Sequence, residues 1–516
     1  MSTAPSWTSP AGYAARWWDA ARDVGPLLRF RGASLRGRSR NGALIGLGVI
    51  LLVTVLVSFL PAFVPEGEYR RSNVLLLLPS GYLGVLVISI VSAAASGGGR
   101  ELLPREQAVA YPVSPLTDHL GALLMAPLNI AWLLQSWGLL AASAYALGPD
   151  WHLLLAQLPL LAWLVTATAL AQLVGWFTEW VRRGPYGTLV FRLLIVAFVA
   201  QLGVLIATNA LTPLLDSSPT LGITLGALHG FHGELLPWLR LLAELVGLGA
   251  AAIVAGGLMA AAVARRPARD ELRAETSVHP ARPHPASDFA ALLRTDRVGI
   301  WRSVPLRRGL AVLTVLPGLV AIGGSLDWTT VAILPGLVAS GGALLFGVNS
   351  WCLDGRGALW RDSLPVSPRQ AFASRAVVLI EVLLLATLLT LAMASLRAGM
   401  PTVSELVAVL CAALVVSVQV VATCLRWSVR RPFAVDLRSS RATPAPPLVM
   451  VAYSSKLALT TTLTGLVFSV AARADAMIPL AVAVPFLLFS GYKLDVTARE
   501  WADPALRAQV VATVAS

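Results

Sequence analysis

Charge is scarce in this chain. Asp, Glu, Lys and Arg make up 13% of the 516 residues and the mean hydropathy is +0.73, whereas a soluble domain carries about 25% charged residues. A soluble core is thereby excluded as the home of most of the sequence. Lysine is nearly missing: Lys456 and Lys493 are the only two, so the formal charge of +13 rests on arginine. That charge lies between apolar segments and not on a soluble module with base-reading side chains, so no nucleic-acid partner is expected. Cys352, Cys411 and Cys424 are the only cysteines and have no Cys-x-x-Cys spacing, which removes a disulfide framework or zinc site and leaves packing roles. There is no Gly-x-x-x-x-Gly-Lys phosphate loop, since neither lysine follows a glycine. The chain itself is therefore expected to bind no ATP in that way. No Ser/His/Asp or His-Glu-x-x-His arrangement suggests a membrane hydrolase. His229-Gly230-Phe231-His232-Gly233-Glu234 places two imidazoles near a carboxylate, but its glycines disfavour a helix presenting both. The expectation is no catalytic residue, no metal and no cofactor on this chain.

What is present is a series of apolar runs, each about 20 residues long and able to cross about 30 Å of hydrocarbon as a helix. They fall near 43–64, 74–95, 119–147, 153–178, 188–212 and 238–264, then near 309–326, 331–351, 376–396, 405–425, 448–471 and 476–492. The expected fold is an all-α integral membrane protein with about twelve transmembrane helices. The first 40 residues carry Arg16, Arg22, Arg29, Arg31, Arg36, Arg38 and Arg40, without the short apolar core and cleavage site of a signal peptide. Because arginine is retained on the cytoplasmic side, this segment is expected inside. Alternation then places Arg100 and Arg105, Arg182 and Arg183, Arg265 to Arg308, Arg356 to Arg375, and Arg426 to Arg441 on the same side. Both termini are expected in the cytoplasm of a multi-pass cell-membrane protein. The domain reading is 1–264 as an N-terminal segment with a first six-helix unit, 265–308 as a Pro-rich cytoplasmic linker and leading segment, and 309–516 as a second six-helix unit with a short tail.

The halves match in order at three places. Leu27-Leu28-Arg29 recurs as Leu292-Leu293-Arg294, Pro112-Val113-Ser114-Pro115 as Pro365-Val366-Ser367-Pro368, and Val181-Arg182-Arg183 as Val429-Arg430-Arg431. A duplicated six-span unit of parallel topology accounts for the order, since an even span count lets both copies face the same way. Ser is a favoured N-cap and Pro a favoured first helical residue, so Pro-Val-Ser-Pro starts the third span of each half; Ser367-Pro368-Arg369-Gln370 also fits a capping box. The plainer reading of the tetrapeptide is a helix start and nothing more. Ahead of each cap lies a charged stretch with Leu or Trp in it, Arg100 to Gln107 and Asp354 to Asp362. Each can lie along the membrane surface and offer charges and an apolar anchor to a soluble partner, or be a solvated loop.

Ionisable residues inside spans are costly and point to transport paths. The candidates are Asn129, Arg192, Glu244, Glu381 and Lys456. Arg192 and Lys456 lie near span ends, where snorkelling to the interface is the competing account.

In layout, and in the charged segment followed by Ala110-Tyr111-Pro112-Val113-Ser114-Pro115 and Ser363-Leu364-Pro365-Val366-Ser367-Pro368, the chain resembles permease subunits of ABC exporters of the second type, with two units fused. The resemblance implies an interfacial helix over Tyr13 to Arg40 and coupling segments contacting a separate ATP-binding subunit through Arg100, Glu101, Arg105, Glu106, Arg356, Trp360, Arg361 and Asp362. It also implies outward movement of a hydrophobic or amphipathic compound, with ATP hydrolysed by the partner. The apolar stretch 213–237 is expected to re-enter the membrane, whereas Arg473 to Ala476 leaves no room for such an element in the second half. The competing readings are an ion-driven secondary transporter, faintly suggested by Asp354-Gly355-Arg356-Gly357, and a non-transporting membrane scaffold.

Overall fold

A computed structural model describes residues 10–33, 38–65, 68–96, 113–128, 130–208, 210, 213–214, 217–266, 285–323, 326–355, 357–433 and 447–515. Among the described residues the regular structure is helical throughout, with no strand. The chain divides into two compact units, Met1–Arg269 and Asp270–Ser516.

The first unit contains α1 (Pro10–Ala33), α2 (Arg38–Phe59), α3 (Glu68–Ser96), α4 (Pro115–Met125), α5 (Ile130–Leu147), α6 (Leu153–Arg182), α7 (Gly187–Ala207), α8 (Leu221–Phe231) and α9 (Leu235–Ala264). Helix α6 is the centre: it packs on α3, α8 and α9, while α2 and α3 pack on α5, and α1 and α9 on α4. Small residues make the α6–α9 approach close, as between membrane helices, where packing and not water exclusion drives association. A Cβ at Gly249 would stand 2.8 Å from Thr166 Oγ1, and that hydroxyl bonds the Leu245 carbonyl across the interface at 3.0 Å. Ser114 caps α4 by accepting from Thr117 N at 3.0 Å. The third span does not run as one helix. Pro127 lies in a 3-10 turn, Ala126–Leu128, between α4 and α5, consistent with a residue that lacks the N–H an α-helix needs there. Helix α8 lies within the apolar stretch 213–237, with one face buried against α6, α3 and α9.

The second unit contains α10 (Asp288–Arg302), α11 (Val304–Gly323), α12 (Trp328–Val331), α13 (Leu334–Phe346), α14 (Gly357–Asp362), α15 (Pro368–Ala394), α16 (Val403–Arg430), α17 (Pro447–Ala471), α18 (Met477–Ala502) and α19 (Pro504–Ala515). A 3-10 stretch, Gly347–Leu353, ends the α13 span and kinks at Asn349. Helix α16 is central, packing on α13, α15, α17 and α18, with α10 and α11 on α15. Ser367 caps α15 through Gln370 N at 3.2 Å; the fully reciprocal capping box occurs instead at Thr402 and Glu405, which start α16. The turn from α17 to α18 is short and holds no helix matching α8.

Among the described residues seven helical stretches are long and apolar enough to cross a membrane: Arg71–Ala94, Leu153–Arg182, Leu235–Ala264, Trp328–Leu345, Pro368–Ala394, Val403–Arg430 and Met477–Ala502. The chain is a multi-pass α-helical membrane protein on this ground. Shorter apolar stretches occupy other expected spans, including Leu47–Phe63, Leu189–Leu205, Gly309–Ile322 and Leu459–Ala471. The helices that carry them, α2, α7, α11 and α17, run 22, 21, 20 and 25 residues, and α17 matches the expected span 448–471 to within a residue.

Candidate functional site

Helix α10 buries Leu292, Asp296 and Ile300, spaced four apart and so on one face. The middle residue of that apolar stripe is a carboxylate, which buries poorly unless ionised partners meet it. Arg375, on the second turn of α15, reaches Asp296 Oδ1 at 2.8 Å and Asp354 Oδ1 at 2.6 Å. Arg361 of α14 pairs with Asp296 through both carboxylate oxygens, its Nη2 at 2.9 Å from Oδ2, and lies 3.2 Å from Asp354. Ser374 donates to Asp296 Oδ2 at 2.6 Å, and Arg375 also donates to the Ser350 carbonyl at 2.8 Å. Two arginines and two aspartates thus form a charge-balanced cluster, with Arg375 1%, Asp296 4% and Arg361 8% exposed.

Burial alone would raise the Asp296 carboxyl, but Arg375, Arg361 and Ser374 together outweigh it and hold the group below the usual carboxylate range. Burial likewise opposes the charge on Arg361, and Asp296 and Asp354 more than reverse that. Burial pushes the neighbouring Cys352 thiol up to about 12.

The cluster fixes α14 from inside. From outside, Arg507 of α19 donates to Asp362 at 2.8 Å, and Trp351 beneath stacks on Trp501 with centroids 3.9 Å apart. Its charges being turned inward or clamped, α14 presents Leu359 and Trp360, 59% and 61% exposed. A surface tryptophan on a rigid, capped scaffold is a binding anchor in kind.

Of the sequence-derived contact residues, Trp360 faces outward, Arg361 is buried as a structural cation, and Asp362 is exposed and paired with Arg507. Arg100, Glu101, Arg105, Glu106 and Arg356 lie outside the described residues, as does Asn129 of the path candidates. Each of the other path candidates has its own setting within its unit. Arg192 is exposed on α7, and Glu244 is exposed on α9 in an ion pair with Arg240 at 3.0 Å. Glu381 receives a two-pronged bond from Arg297 of α10 at 2.8 and 2.6 Å. Lys456 lines a basic cleft with Lys493 and Arg426. His229 meets Glu234 at 2.5 Å at the end of α8, and among the described residues no group of three His, Cys, Asp or Glu is placed to hold a metal. Sequence reading missed Asp296, Asp354, Arg375 and Arg507. Only Asp296 carried a signal, as a charge in step with an apolar i, i+4 stripe.

No family model, no curated protein and no solved structure matches the chain.

Proposed function

We propose that the chain is the membrane-spanning permease of an ATP-driven exporter, two six-span units fused, working with a separate ATP-binding subunit to move a hydrophobic or amphipathic compound outward. Both termini and the ends carrying α14 face the cytoplasm in this reading. One observation carries it: α14 is anchored to α10, α15 and α19 by ion pairs while Leu359 and Trp360 stand clear. A solvated loop needs no such bracing. A lever that transmits force does, because motion at its tip must reach spans α15 and α16 without dissipating in the joint.

The duplication is supported by neighbour patterns within each unit. Helices α3 and α6 pack as do α13 and α16, α6 and α9 as do α16 and α18, and α2 and α5 as do α11 and α15; α1 meets α4 as α10 meets α15. The three repeated sequence elements occupy like places, with Leu27–Arg29 in α1 and Leu292–Arg294 in α10, Ser114 and Ser367 as caps, and the Arg pairs ending α6 and α16. ATP use belongs to the partner, since this chain has no phosphate loop.

The test is site-specific photo-crosslinking from position 360 in cells. The reading expects a crosslink to a soluble subunit bearing a phosphate loop, lost when the crosslinker is moved to exposed Val377 on α15. Equal yields from both positions, or crosslinks to lipid alone, would defeat it.

A further inference from the structure

The two lysines of this chain stand together. Lys456 of α17 and Lys493 of α18 line a cleft of about 390 Å³ with Arg426 and Arg430 of α16 and Arg431 just after it. Thr423 and Trp427 complete its wall. Among the described residues Glu500 borders it, holding Arg430 by two bonds of 3.0 and 2.5 Å and lying close enough to feel the charge of Arg426. The nearby Asp495 is taken by Arg499. Arg431 lies over the Trp427 ring at 4.9 Å and Lys493 Nζ over Phe489 at 4.2 Å. Among the described residues no carboxylate pairs with Arg426, Arg431, Lys456 or Lys493. Like charges gathered in a concave wall repel one another and raise the local concentration of anions.

The depth of the cleft identifies the anion's setting. Ser404 donates to the Ala474 carbonyl at 2.5 Å, which ties the start of α16 to the α17–α18 turn at one end of the unit. At the helical rise, Thr423 lies about 28 Å from that level, Lys456 about 27 Å and Lys493 about 24 Å. The hydrocarbon core is about 30 Å thick, so the cleft opens at the opposite apolar–polar boundary, where lipid phosphates lie. Leu459, Leu463, Leu466 and Val470 continue α17 away from the cleft as an exposed apolar row, suited to an acyl chain. An indole at this depth is also typical of interfacial anchoring.

We propose that this cleft binds the phosphate headgroup of an anionic phospholipid. Its lysines act as compact point charges on the phosphate and its arginines as forked donors. The inference needs only that the second unit spans a membrane; it stands whether or not the chain is an exporter.

The experiment uses the full chain in nanodiscs of phosphatidylcholine alone, or of phosphatidylcholine and phosphatidylglycerol in equal parts, with lipid retention read by native mass spectrometry after gentle detergent transfer. Wild type is expected to retain phosphatidylglycerol selectively. Each neutralised cation lowers affinity about fivefold, so Lys456→Gln with Lys493→Gln lowers it about 25-fold. Lys456→Arg with Lys493→Arg, which keeps the charge, retains the lipid. If the double Gln variant does not fold, the single Lys456→Gln variant and the melting temperature of wild type in the two nanodiscs decide the matter, with higher stability expected in the anionic one. Equal retention of both lipids by wild type, unchanged retention in the Gln variants, or release of phosphatidylglycerol by millimolar inorganic phosphate, the mark of a soluble-anion site, would each overturn the proposal.

Discussion

Replacing Asp296 with Ala removes one of two negative charges from a cluster in which Arg361 and Arg375 are 8% and 1% exposed. Asp354, 2.6 Å from Arg375 and 3.2 Å from Arg361, then faces both cations alone, and one buried positive charge is uncompensated. Breaking such a network from one side costs about 3–5 kcal/mol, chiefly because the remaining charge is stranded. Asp296→Asn keeps the shape but not the charge and belongs in the same range. Removing Arg361 as well restores balance, leaving the Arg375–Asp354 pair. The double variant is therefore expected to be more stable than the sum of the two single losses by about 0.5–3 kcal/mol. Unfolding in mixed micelles by increasing dodecyl sulfate, followed by circular dichroism, measures all four corners of the cycle. The pH dependence has a definite sign. Because the folded Asp296 carboxyl is held below its ordinary value, its stabilisation is complete above the unfolded pKa of about 3.9 and is lost as pH falls through the lower folded value. Wild type and Asp296→Asn should differ by a constant amount above about pH 5 and converge in stronger acid. Single losses below about 1 kcal/mol that simply add would refute the buried cluster, because that is the behaviour of exposed ion pairs.

Three further outcomes are expected. Gly347→Ala would place a Cβ 2.2 Å from Cys424 Sγ and 2.8 Å from the Tyr453 hydroxyl, an overpacking expected to cost about 1–3 kcal/mol in the same unfolding assay. Cys352, buried and with its thiol pushed up to about 12, should resist maleimide at pH 8 in the folded chain and react after denaturation, as followed by mass spectrometry. Ser367→Ala removes the acceptor for Gln370 N and should cost about 1 kcal/mol, whereas Leu359→Ala and Trp360→Ala, at exposed positions, should stay within about 0.5 kcal/mol of wild type.

Local features were legible before the structure. The caps at Ser114 and Ser367 follow from residues a few positions apart, whose preferences act without tertiary help. The helical, membrane-crossing character follows from apolar run length alone. Span boundaries were less legible where Pro127 breaks what hydropathy joins into one run, whereas the helix Pro447–Ala471 matches its apolar run to within a residue. The buried cluster was not legible. Arg361 and Asp296 are 65 positions apart, and Ser374 and Asp296 78, so the Asp354-to-Asp362 segment read as surface charge although half of that charge points inward. Composition marked the segments between apolar runs as basic but could not show that Lys456 and Lys493, on different helices, meet three arginines in one cleft.

The central claim is that an ATP-binding partner drives this permease through α14. Its most direct measurement is export from proteoliposomes containing the chain and the proposed ATP-binding subunit, with ATP hydrolysis recorded in parallel. The account predicts flux only when both subunits and ATP are present. It predicts that Leu359→Ser with Trp360→Ser abolishes substrate-stimulated hydrolysis while folding is unchanged. Flux by the purified chain alone under a proton gradient, or full stimulation in the double variant, would contradict it.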